Sequence, residues 1–165
     1  MEWNVHHRVL HGVYQNLQDI PDIVHRAACH YEGNIPHRRG WNVPASVLLS
    51  FLPSLPPSPS LPLPVPVDLL RQAEYVIVYR KGDILTKRHE LQHARYAMDP
   101  SYRHEVRQRW DALTPTQQHA IRTHLMALGY PPDDDILLDE FQAYERTEHP
   151  RFFGTVLRVS DARRK

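Results

Sequence analysis

Residues 74–93 read EYVIVYRKGDILTKRHELQH, and a change of pattern inside this stretch decides the fold class. Its first seven residues, Glu74 to Arg80, are dense in β-branched and aromatic side chains, which suit the pleated surface of a strand. Lys81-Gly82-Asp83 ends the run, because glycine permits a turn and aspartate favours a helix start. From Ile84 to Met98 the apolar residues recur at three and four positions, the period of a helix. Helical patterning then continues to about Arg146, so the chain is expected to be α+β and predominantly helical.

That first helix carries His89-Glu90-Leu91-Gln92-His93. Residues four apart on a helix share a face, so His89 and His93 can bind one tetrahedral ion. Glu90 stands beside them, placed to take a proton from a water polarised by that ion. Both histidines align with Leu85 and Ala97, which aims them inward, where a polar ring needs a partner. The competing reading is a pair of satisfied core or surface histidines, and a third ligand decides between the two.

A catalytic zinc takes three protein ligands and leaves one position open. Glu140 is the first choice, since Leu137 and Tyr144 at helical spacing turn it toward the core, where a lone carboxylate is costly. Asp99, six residues after His93, ranks lower. The turn that would bring it back normally needs glycine where Tyr96 stands, and Asp99 before Pro100 already suits a helix cap. His104, His119, His124 and His149 could coordinate, but none has a diagnostic spacing.

Three more helices follow from local signals. Asp99-Pro100 starts one with the apolar stripe Tyr102, Val106, Trp110 and Leu113. Thr114-Pro115-Thr116-Gln117 is a capping box, and Gly129 closes a helix whose inner face is Ile121, Leu125 and Leu128. Carboxylates at Asp133 to Asp135 open the last helix, which carries Leu137, Phe141 and Tyr144. Before the strand, Val13, Leu17, Ile20, Val24 and Ala28 read as a helix over Val13–Cys29, kinked or split at Pro21. Residues 1–52 are thus expected to be an N-terminal helical region and 67–150 the metal-bearing core. Between them, residues 53–66, PSLPPSPSLPLPVP, form a proline-rich loop in extended polyproline II. Its PxxP spacing could dock in an aromatic groove of a partner, though no arginine flanks it to set an orientation.

At 165 residues the chain suits one domain with a real core. Lys+Arg 20 against Asp+Glu 19 leaves no charge excess for nucleic acid. No run of eighteen apolar residues occurs, so no membrane span is expected. Cys29 is the single cysteine, which excludes an internal disulfide and suits a reducing, cytoplasmic address. The start lacks the pattern of a secretory signal.

HExxH on one helix, followed about fifty residues later by Asp139-Glu140-Phe141-Gln142-Ala143-Tyr144 on another, resembles the gluzincin metallopeptidases, above all their minimal forms. The resemblance covers about Glu74 to Arg146. It implies a zincin-like core with a short sheet before the HExxH helix, Zn2+ held by His89, His93 and Glu140, and Glu90 as the base that activates water. It also implies a peptide or protein substrate lying along the strand that precedes the active helix. Ala143 fits the family's glutamate helix, whereas Tyr144 stands where an aspartate is frequent. For the donor to the developing oxyanion, Tyr96, Tyr102, Tyr130, Tyr144 and His149 are available, and nearness to Glu140 favours Tyr144 and His149. The strand 74–80 could bind a peptide by edge pairing. The alternative is an inactive interaction protein that keeps zinc for stability and binds a partner through its proline-rich segment.

Overall fold

The computed structural model describes residues 1–36, 38–52, 65–149 and 151–154. Strand β4 (Tyr75–Arg80) is the expected strand, and it lies inside a four-stranded sheet of order β1-β2-β4-β3. β1 (Glu2–His6) runs antiparallel to β2 (Val9–Tyr14), β2 runs parallel to β4, and β3 (Gly40–Pro44) runs antiparallel to β4. Tyr75 to Tyr79 are all buried, which explains why β4 reads as an unbroken apolar run rather than an alternating one. The expectation that a peptide pairs along 74–80 is therefore corrected: β4 is hydrogen-bonded on both sides, and the edges of the sheet are β1 and β3.

Three of the four strands come from the region read as helical. Helix α1 begins at Asp22 and ends at Glu32, while Val13 belongs to β2. Pro21 precedes the helix instead of kinking it, a role its fixed φ allows. The strand signal in VLHGVY was hidden because β2 is buried on both faces. Val9 and His11 face one side, and Leu10 and Tyr14 the other. Gly12 belongs there for space, since a Cβ would stand 2.7 Å from the Trp3 ring and 2.9 Å from Val78. Most of the proline-rich segment, residues 53–64, lies outside the described residues.

The sheet carries a layer on each face. Leu10, Trp41, Val43, Val76 and Val78 pack under α1, α2 (Ala45–Phe51) and α3 (Val67–Leu70). On the other face Val9, Tyr75, Ile77 and Tyr79 meet Ala94 and Leu91 of α4 (Ile84–Met98). Beyond α4, helices α5 (Pro100–Asp111), α6 (Pro115–Ala127) and α7 (Asp134–Thr147) enclose a second core of Tyr102, Val106, Trp110, Ile121, Leu125, Leu137 and Phe141. Helix α4 thus lies between the sheet and the helical layer, with one flank on each. The architecture is α+β and predominantly helical, and no described helix is long and apolar enough to cross a membrane. Leu85 departs from its expected inward direction and is 58% exposed, at the mouth of a cleft.

Candidate metal centre

Two capped helices set the phase of the site. Asp83 begins α4, accepting from Thr86 N at 3.0 Å and from Thr86 Oγ1 at 2.8 Å. Asp133 begins α7, accepting from the amides of Asp135 and Ile136. These starts leave His89, His93 and Glu140 on facing sides of α4 and α7, with one ligand atom of each within 4.8 Å of the others. His89 Nε2 is 3.6 Å from Glu140 Oε2, and His93 Nε2 is 3.7 Å from Glu140 Oε1.

Neighbours on α7 orient both rings. Thr147 Oγ1 donates to Ala143 O at 2.7 Å, so its lone pair faces His89 Nδ1 at 3.2 Å and that nitrogen carries the proton. Asp139 Oδ1 lies 3.0 Å from His93 Nδ1. A carboxylate or hydroxyl behind an imidazole in this way fixes its tautomer and leaves Nε2 bare for a metal. His93 Nε2 and Glu140 Oε2 are buried without a hydrogen-bond partner, and His93 Nδ1 meets Asp139 as a charge contact outside good hydrogen-bond geometry, a cost that a cation at the cluster would offset.

The electrostatics point the same way. Burial pushes the Glu90 and Glu140 carboxyls up to about 7, against the downward pull of the nearby imidazoles. Glu32, at the end of α1, is likewise pushed up to about 7 by burial and joins this acidic centre. Burial lowers His89 to about 4, whereas for His93 the charges of Asp139 and Glu140 outweigh burial and raise it well above the ordinary histidine value. The Arg38 guanidinium stands against this group, donating to Glu32 Oε2 at 2.5 Å and to Gly33 O at 3.1 Å. A divalent ion between His89, His93 and Glu140 would relieve that excess of buried negative charge.

Glu90 faces the sheet side of the cleft, where its Oε2 accepts from Asn42 Nδ2 of β3 at 3.0 Å. A cavity of about 640 Å³ opens over the cluster, lined by Asn42, His89, Glu90, His93, Tyr130, Glu140 and Tyr144 among others. The Tyr130 and Tyr144 hydroxyls are 3.1 Å apart. Burial raises Tyr144 to about 12 and raises Tyr130 further, with Glu140 contributing, so both phenols keep their protons. The Tyr144 ring packs on His89 at 4.6 Å between centroids and stacks on Phe152 at 4.4 Å.

Of the residues singled out by sequence, His89, Glu90, His93, Glu140 and Tyr144 line this cleft together. His149 does not line it: it is exposed, and its Nδ1 accepts from Arg151 N at 3.1 Å. Asp99 caps α5 through Tyr102 N, His104 bonds Gln108, His119 is exposed, and His124 packs against Phe152 and Phe153. Asp139, Thr147, Asn42 and Arg38 escaped the sequence reading. For Asp139 a signal existed in its position beside Glu140, and for Thr147 in its place one helical face further on. Asn42 and Arg38 come from a region whose strand was not foreseen. No protein-family model, no curated protein and no solved structure matches the chain.

Proposed function

We propose that the protein is a zinc-dependent metallopeptidase of gluzincin type, with His89, His93 and Glu140 as ligands to Zn2+ and Glu90 as general base. The observation that carries this reading is the convergence of three ligand atoms from two helices, two of them on groups with buried, unpartnered atoms. Two imidazoles and one carboxylate are the donor set of a catalytic zinc, whose fourth position stays open. The sheet, α4 and α7 would then be a zincin-like core.

When bound, zinc would act as a Lewis acid and lower the pKa of a coordinated water toward about 7. Beside those ligands, the buried Glu90 carboxylate would take the proton from an attacking water as the water oxygen bonds to the peptide carbonyl carbon. The Glu90 carboxyl then delivers the proton to the departing amine as the C–N bond breaks, so one water becomes part of a new carboxyl and amine pair. Tyr130 and Tyr144 donate toward the carbonyl oxygen as its charge grows. Exposed Leu85 and Leu128, with Ile35 and Pro36, give the cleft an apolar wall suited to a peptide or protein substrate. A cytoplasmic address accords with the free Cys29.

The test is metal content measured together with cleavage of a mixed peptide library by the wild type and Glu90→Gln. We expect one zinc per chain in both proteins and a loss of cleavage in Glu90→Gln by a factor on the order of 10²–10⁴. Stoichiometric zinc without Glu90-dependent cleavage would favour a zinc-stabilised interaction protein acting through residues 53–66. Absence of zinc from every preparation would defeat both readings.

A further inference from the structure

We propose that Asn42 and Gly40 of the edge strand β3 hold the Glu90 carboxylate out of the metal's coordination shell, so that it serves as a base and not as a fourth ligand. The proposal rests on the metal-site reading and names the residues that keep one corner of that site open.

A carboxylate buried beside a dication binds it unless something restrains it. Glu90 follows the ligand His89 directly in the chain and is 5% exposed, yet the group of mutually close ligand atoms contains His89, His93 and Glu140 without it. The restraint comes from across the cleft. Asn42 Nδ2 donates to Glu90 Oε2 at 3.0 Å, and Asn42 is itself oriented by the Tyr75 hydroxyl, which donates to Asn42 Oδ1 at 2.6 Å. With the phenol proton on one end of the amide, the other end must present N–H groups to the carboxylate; turning the amide around would oppose oxygen to oxygen.

Two residues earlier on the same strand, and therefore on the same face, stands Gly40. A Cβ there would collide with Glu90 Oε1 and lie 2.7 Å from Glu90 Cδ and from Thr86 Cγ2. The backbone at Gly40 does not demand glycine, since the positive-φ glycines are Gly33, Gly82, Gly129 and Gly154. The space is what requires it. One residue of β3 thus binds one carboxylate oxygen while the other makes room for the second. The register that sets both, with Asn42 opposite Ile77 and Gly40 opposite Tyr79, is held by β4.

Cobalt(II) alone, loaded in place of zinc, tests this without any substrate, because its visible bands report the ligand set. Wild type and Glu90→Gln should share one spectrum. Asn42→Ala should change the bands and tighten cobalt binding roughly tenfold, the scale on which outer-shell changes act on metal affinity. Adding Glu90→Gln to it should reverse both effects. Gly40→Ala, which displaces the carboxylate without leaving Tyr75 unpaired, should give the same Glu90-dependent change. Asn42→Ala with Tyr75→Phe serves if the single variant does not fold. Bands unchanged in cobalt-loaded Asn42→Ala and Gly40→Ala would overturn the proposal, as would weaker binding indifferent to Glu90. Failure of the wild type to take up cobalt would instead overturn the metal site itself.

Discussion

His93 is 1% exposed and stands between two carboxylates, so its two ring nitrogens are assigned by what lies behind each. Replacing Asp139 by Asn should lower zinc affinity by about 10–100-fold, while Glu145→Ala changes it little; chelator competition measures both. Protons would compete with a metal here, since burial pushes the Glu140 carboxyl up to about 7 and the charges of Asp139 and Glu140 hold His93 above its ordinary value. Zinc must displace them, so affinity should rise between pH 6 and 8, with proton release seen by calorimetry in buffers of different ionisation enthalpy. His11 predicts the opposite end of the scale. Burial, with Lys87 nearby, lowers it to about 4 from 6.5, so the unfolded chain binds the proton more readily than the folded one. The stability this contributes is complete above pH 6.5 and is lost as pH falls toward 4, a loss that His11→Phe should lessen in urea melts. That His89, His93 and Glu140 come together was legible in sequence because two helical periods suffice to read it. Asp139 was not, because consecutive helix residues point about 100° apart, and only the position of the His93 ring lets it meet both Asp139 and Glu140.

Helices α4 to α7 were legible almost to the residue because their starts are chemical: Asp83, Asp99, Thr114 and Asp133 each accept from an amide of the first turn. The first three strands lacked such marks. The hairpin joining β1 to β2 turns at His7 and Arg8, with φ of 48° and 65°, where Asn-Gly would be the usual signal. Two residues with side chains in the left-handed region carry a cost. Replacing them together by Asn and Gly should therefore stabilise the protein by about 1 kcal/mol, read as a higher melting temperature. The exposed contact of Arg8 with Glu74 would be lost, but pairs of that kind contribute little. Across the cleft, Gly129 has φ of 104°, and a Cβ added there would stand 2.6 Å from Pro36 Cδ. Gly129→Ala should cost more than 1 kcal/mol, since both the backbone and the neighbouring loop object.

At the scale of the molecule, the proposed metal site would tie α7 to α4, the helix that packs on the sheet. Removing the ion should lower stability by about 2.7 kcal/mol when free zinc had stood at a hundred times its dissociation constant. The loss should show first as faster hydrogen exchange in α7, because α7 contributes Glu140, Asp139 and Thr147 while α4 keeps its packing on the sheet. Uniform loosening of the sheet and α7 together would contradict this.

β4 is also a seam in time. Both strands that flank it belong to the first 44 residues, yet neither can pair with it until residues 75–80 have been made. A ribosome-bound chain therefore carries unmatched backbone from β2 and β3 across some thirty further residues, including the proline-rich stretch. Its sheet closes only moments before the histidine helix emerges, so the clamp on Glu90 is assembled in nearly the same stroke as the residue it grips.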